Sequence, residues 1–98
     1  MIDTMPTQAQ VDQIALDLAP DVVRIRIQAG QDWSDHPANY FRIILSDEAS
    51  RVGRLADVTA KVRAKLAESL GLWEADRIPY FRFRSQSEQA QVGDAVWD

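Results

Sequence analysis

Residues 22–46, VVRIRIQAGQDWSDHPANYFRIILS, decide the fold of this chain. Apolar and polar residues alternate over 21–28 and again over 40–46, which predicts two β-strands with one buried side each. The residues expected on the buried side are Val23, Ile25, Ile27, Phe41, Ile43 and Leu45. The polar, turn-rich residues 29–39 join the strands directly, so the two strands are expected to pair antiparallel.

Helical periodicity lies on both sides of this hairpin. Residues 7–19 predict a first helix, with Thr7 and Gln10 forming a capping box at its start and Pro20 ending it. The main helix is expected to run from the helix-start residues 47–50 to Leu70, ahead of Gly71.

A third strand is predicted over 78–85, with Phe81 and Phe83 inward. Ser85 and Glu88 form a second capping box, which opens a short last helix to about Val92. The order is therefore α-β-β-α-β with a short C-terminal helix. It predicts an α+β fold with a three-stranded, at least partly antiparallel sheet and helices on one face.

Length and composition suit a single domain over residues 1–98, with 1–6 and 93–98 as candidate flexible ends. The chain has no cysteine, which excludes disulfides, thiolate metal sites and thiol nucleophiles. It has no apolar run of membrane-spanning length and no signal-peptide pattern at its start. We therefore expect a cytoplasmic protein that does not act at a membrane.

The predicted strands direct an unusual set of side chains away from the core. This set, called the arginine face below, consists of Arg24, Arg26, Arg42, Arg82 and Arg84 together with Tyr40 and Tyr80. It holds five of the 11 basic residues, and apart from Asp21 at one end no Asp or Glu lies inside the strands to pair with them.

Four interpretations of the arginine face remain open. The loop over 29–39, with Asp32 and Asp35, could fold over its own sheet and satisfy the arginines. Arginine heads on an exposed sheet are often simply solvated. Guanidinium groups also bind carboxylates in a bidentate manner, which would suit an acidic protein partner. Arginine next to tyrosine could instead stack the bases of single-stranded RNA. The net charge of −4 places an acidic partner ahead of RNA.

The loop over 31–37 collects the reactive residue types, and Trp33 and His36 are its secondary candidates. One histidine without cysteine is a poor donor set for zinc, so neither a metal nor another cofactor is expected. Ser34, His36 and a nearby Asp are too close in sequence for a catalytic triad. We expect a surface loop in which Asp caps backbone amides and Trp33 anchors the loop to the core. A metal-independent ribonuclease using His36 is a third functional possibility.

The second half of the chain resembles ribosome-binding factor A, a KH-type RNA-binding family. The similar residues lie in 55–66, 70–72, 78–83 and 85–88, and the β-β order before them also agrees. The resemblance implies a KH-like α+β fold and contact with RNA. The chain lacks the G-x-x-G loop of other KH domains and the small-residue helix kink of this family.

These observations lead to one functional expectation. The chain is interpreted as a non-catalytic interaction module, of the antitoxin, immunity or accessory-subunit kind, whose arginine face docks an acidic protein. KH-like binding of single-stranded RNA is the alternative. A homodimer stays open, because an exposed sheet face or edge can pair with a second copy.

Overall fold

The computed structural model describes residues 5–98, so the expected flexibility of 1–6 falls mostly on residues outside the described part. The helices and strands follow one another in the order α-β-β-α-β-α, which confirms the order predicted from the sequence. The elements are α1 (Gln8–Asp17), β1 (Val22–Gln31), β2 (Pro37–Leu45), α2 (Leu55–Leu70), β3 (Ile78–Ser85) and α3 (Gln86–Val92), with 3-10 turns at Leu72–Glu74 and Ala95–Trp97. None of the described helices is both long and apolar enough to cross a bilayer.

The three strands form one mixed sheet in the order β1-β2-β3. β1 pairs antiparallel with β2, as expected for strands joined by a hairpin, whereas β3 pairs parallel with β2. The parallel pairing needs a long crossover, which α2 provides. β2 is therefore the central strand, and the α+β class with a partly antiparallel sheet is confirmed.

The core lies between one side of this sheet and the helices α1 and α2. Phe41, Ile43 and Leu45 of β2 are fully buried there, as the alternation predicted. The Phe81 and Phe83 side chains also point inward but are only partly buried, because β3 is an edge strand. The core is thus centred on β2.

The expectation that the helices lie on one face holds for α1 and α2 but is wrong for α3. Ile44 is on the side opposite the core, and yet it is only 1% exposed. Residues of α3 line the same hollow as Ile44 and Arg24, and Trp97 is buried nearby. The short last helix and the turn after it therefore cover one end of the second sheet face.

The predicted orientation at the start of β1 is also wrong. Val22 is buried and Val23 is exposed, the reverse of the expected assignment. A register irregularity between Val22 and Arg24, a β-bulge, inserts one residue and shifts the alternation at that point. From Ile25 onward the strand follows the predicted pattern.

The main helix begins later than the sequence indicated. The predicted start at 47–50 forms turns, in which Ser46 accepts a hydrogen bond from the Ala49 backbone N–H. The Asp47 carboxylate accepts hydrogen bonds from the backbone N–H and the hydroxyl of Ser87 in α3. Asp47, which was expected to stabilise the start of the helix, is thus bonded to α3, and α2 begins at Leu55.

Candidate binding face

Strand register arranges the arginine face in three rows that run across the sheet. The first row is Arg24, Ile44 and Arg84; the second is Arg26, Arg42 and Arg82; the third is Gln28, Tyr40 and Tyr80. Neighbouring strands lie about 4.8 Å apart, so side chains of one row are close neighbours. All seven residues predicted from the sequence therefore share one side of the sheet.

The first row is covered by the chain itself. Arg24 donates from Nε to the Trp97 carbonyl oxygen at 3.2 Å and from Nη2 to Asp98 Oδ1 at 3.1 Å. The guanidinium carbon of Arg84 lies 4.2 Å from the centroid of the Trp97 ring. Asp98 thus supplies a carboxylate that the sequence analysis did not anticipate, because it lies far from the strands along the chain.

In the second row, Arg42 and Arg82 make no ion pair with a carboxylate among residues 5–98. Arg26 donates to the main-chain oxygen of Asp98, and Arg42 donates to Gln28 Oε1 at 2.6 Å. Arg82 is exposed, and its guanidinium carbon lies 5.9 Å from the Tyr40 ring centroid. Arg42 and Arg82, which are neighbours in this row, therefore have only neutral partners among the described residues.

In the third row the two tyrosines pack on each other. The rings of Tyr40 and Tyr80 are stacked, with their centroids 5.4 Å apart and their planes 17° apart. The Tyr40 hydroxyl donates to the Gln31 carbonyl oxygen at 2.9 Å. A Cβ at Gly30 would lie only 3.2 Å from the Tyr40 ring, so glycine makes room for the ring there. Because each ring has one face against the other, each offers at most one face to a ligand.

The hairpin loop over 32–36 is organised by a single carboxylate. Asp32 Oδ1 accepts hydrogen bonds from the Ser34 hydroxyl at 2.8 Å and from the backbone N–H groups of Ser34 and His36 at 2.9 and 3.0 Å. Its Oδ2 accepts the Tyr80 hydroxyl at 3.0 Å. Burial raises the pKa of Asp32, but these hydrogen bonds outweigh it and lower the pKa to about 2. The predicted capping role of an Asp in this loop is confirmed, and Asp32 also joins the loop to the arginine face.

The side chains of Asp32, Ser34 and His36 do contact one another, but not in the order of a triad. Ser34 Oγ lies 2.8 Å from Asp32 Oδ1 and 2.7 Å from His36 Nδ1. Since the carboxylate can only accept, the hydroxyl proton goes to Asp32 and His36 Nδ1 must be the donor to Ser34. In a catalytic triad the histidine lies between the two other groups and accepts the serine proton. In this arrangement His36 does not accept the Ser34 proton, as the histidine of a triad does.

The other loop residue singled out from the sequence, Trp33, does not anchor the loop. Its side chain is 95% exposed, so that expectation is wrong. The loop is held through Asp32 and Tyr80 instead. Within residues 5–98 no three histidine or acidic side chains are grouped closely enough to hold a metal ion.

Arg77 is a structural residue that the sequence analysis missed. Its Nε donates to Asn39 Oδ1 at 2.9 Å, and its Nη2 donates to the carbonyl oxygens of Gly30 and Ala38 at 3.2 and 3.1 Å. These bonds connect the residue just before β3 to both other strands. A lone arginine before a strand gives no sequence signal for this role.

Comparisons with protein-family models, with curated proteins and with solved structures each gave no match. The resemblance to ribosome-binding factor A therefore stays a prediction.

Proposed function

We propose that this chain is a non-catalytic binding module, of the antitoxin, immunity or accessory-subunit kind, that docks an acidic protein through its arginine face. The supporting observation is the neighbouring pair Arg42 and Arg82 in the second row, neither of which makes an ion pair with a carboxylate in the described part of the chain. Like charges directly opposite each other destabilise a sheet. Carboxylates of a partner would remove this repulsion and accept bidentate hydrogen bonds.

The open part of the face is smaller than the sequence suggested. Arg24 and Arg84 are engaged by Trp97 and Asp98. The remaining open surface is a shallow hollow of about 280 Å³ lined by Gln28, Ala29, Gly30, Tyr40, Arg42 and Arg82. We place the initial contact with the partner on this hollow.

Single-stranded RNA is the second candidate ligand. The position of Arg82 beside the Tyr40 ring favours it, because arginine and tyrosine together bind phosphates and bases. It ranks second because the two tyrosines cover one face of each other's rings, which leaves less surface for bases. The net charge of −4 also opposes the approach of a polyanion more strongly than that of a protein whose acidic groups are confined to one patch.

The test is a charge reversal in the open part of the face. The full chain carrying Arg42→Glu and Arg82→Glu should stay folded and lose the protein that co-purifies from the native host. The matched control reverses Arg51 and Lys61, which are exposed and lie outside the arginine face. This control should keep the partner. The purified partner should rebind the wild type and the control but not the variant with Arg42→Glu and Arg82→Glu.

Two outcomes would contradict the proposal. If the partner remains bound to the folded double variant, the arginine face is not the interface. If the wild type instead binds an oligo(U) RNA, with an affinity that falls steeply from 50 to 200 mM salt, the RNA candidate replaces it.

A further inference from the structure

Residues 93–98 pack against one end of the arginine face through noncovalent contacts. Only two residues of this segment make the main contacts with the sheet. Trp97 is 5% exposed, and Asp98 reaches Arg24 and Arg26. The rest of the segment is exposed.

The contacts of these two residues combine apolar and ionic recognition. The Trp97 ring lies against the Arg84 guanidinium, and Ile44 of the same row is buried although no core helix covers it. The Asp98 carboxylate accepts hydrogen bonds from Arg24 at 3.1 Å and from Gln89 at 3.3 Å. An aromatic residue followed by an acidic one therefore fits this end of the face.

The segment is joined to α3 in a way that permits a change of position. Gly93 ends α3 in the left-handed conformation, with φ of 67°, and nothing lies within 4 Å of a Cβ placed there. Between Gly93 and Trp97, the hydrogen bond from Gln89 Nε2 to the Asp94 carbonyl oxygen connects the segment to the body at 2.7 Å. Glycine can adopt other backbone angles at low cost, so Gly93 can serve as a pivot.

We infer that the end of the sheet face formed by Arg24, Ile44 and Arg84 is a docking site for an extended partner segment in which an aromatic residue precedes an acidic one. Residues 93–98 of this chain occupy that site as an intrachain competitor. The inference rests on the proposed function, since it supplies the chemistry of the acidic partner. Displacement of Trp97 and Asp98 by such a segment would let the partner contact the first row, which these residues now cover, together with Arg42 and Arg82 of the second row.

The test uses the chain's own sequence as the probe. A fluorescein-labelled peptide with the sequence of residues 93–98, GDAVWD, is titrated into the full chain and followed by fluorescence anisotropy. The peptide binds only those molecules in which residues 93–98 have left the site. Its apparent affinity is therefore reduced in proportion to the fraction of molecules that are open. Trp97→Ala and Asp98→Lys each weaken the resident segment, so both variants should bind the peptide at least about tenfold more tightly than the wild type.

Two controls separate this site from the proposed interface. A peptide with Ala in place of both Trp and the last Asp should not bind. Adding Arg24→Glu to Trp97→Ala should abolish peptide binding. Adding Arg42→Glu and Arg82→Glu to Trp97→Ala should leave most of the peptide binding. The peptide assay can therefore succeed even if the acidic-partner proposal fails.

The inference fails if folded Asp98→Lys or Trp97→Ala protein binds the peptide no better than the wild type. It also fails if neither variant folds, because the segment would then be an inseparable part of the core. Concentration-dependent dimerisation of wild type that Trp97→Ala abolishes would show that a second copy, not a different partner, takes the site.

Discussion

The guanidinium carbon of Arg84 lies 4.2 Å from the centroid of the Trp97 ring, and this contact joins the last strand to the last turn of the chain. Arg84 also donates to Gln89 Oε1 of α3 at 2.8 Å. A sheet face that the sequence left open is therefore closed at one end, and the closed end depends on a single buried tryptophan.

Replacing that tryptophan should cost much more stability than replacing an exposed one. Trp97→Ala removes a ring that is 5% exposed, and a loss of about 3 kcal/mol in the free energy of unfolding is expected. Trp73 is 76% exposed, so Trp73→Ala should change stability by less than about 0.5 kcal/mol. Urea unfolding of both variants measures the difference, and equal effects would mean that Trp97 does not pack on the sheet.

The free edge of β1 is protected by one side chain of α1. Gln8 donates from Nε2 to the Ile25 carbonyl oxygen at 2.7 Å and accepts at Oε1 from the Ile27 N–H at 3.2 Å, as a neighbouring strand would. Gln8→Ala should therefore lower the free energy of unfolding by about 1–2 kcal/mol. The exposed edge should also increase self-association in size-exclusion chromatography.

A matched variant for this edge is Gln13→Ala. Gln13 is another glutamine of α1, it is exposed, and among the described residues its side chain donates only to Asp17. Its replacement should leave both stability and elution volume nearly unchanged. Indistinguishable behaviour of the Gln8 and Gln13 variants would rule out edge protection by Gln8.

The Asp32 carboxylate should make stability depend on pH in the acid range. Burial raises its pKa, but hydrogen bonds from Ser34, His36 and Tyr80 lower the pKa from 3.8 to about 2. A lowered native pKa gives stability that is present above pH 4 and is lost as pH falls towards 2. Asp32→Asn should therefore be less stable than wild type at pH 6, and the difference should shrink towards pH 2. Denaturant unfolding across this range would refute the role of Asp32 if the gap stayed constant.

The single histidine should not support catalysis. His36 Nδ1 donates to Ser34, whose own proton goes to Asp32, so this ring has no protein nucleophile to activate. Purified wild type is expected to leave a fluorogenic RNA uncleaved, with the same background as His36→Ala. Cleavage by wild type that His36→Ala abolishes would overturn the proposal of a non-catalytic module and support a ribonuclease.

Sequence alone was sufficient for features that arise from local chemistry. The alternation over 40–46 identified the buried side of β2, and the pairs Thr7–Gln10 and Ser85–Glu88 both form capping boxes. Gly71 ends α2 in the left-handed conformation, as its position indicated. Each of these features depends on residues within a few positions of one another, so the local sequence specifies them.

Prediction failed where distant residues decide the outcome. Asp47 contacts Ser87 instead of starting the helix, and the bulge after Val22 reverses two side chains. Neither the Asp47–Ser87 contact nor the bulge can be recognised from the neighbouring sequence. A pattern that repeats every two residues also cannot reveal where a strand adds one residue.

The arginine face shows the same division. Alternation within each strand determined which side chains point away from the core. Only the tertiary structure decided that Arg26, Arg42 and Arg82 fall in one row and that Trp97 and Asp98 cover Arg24 and Arg84. The physical reason is that side-chain direction is a property of a single strand, whereas register and the position of the last residues depend on contacts between segments up to 74 residues apart.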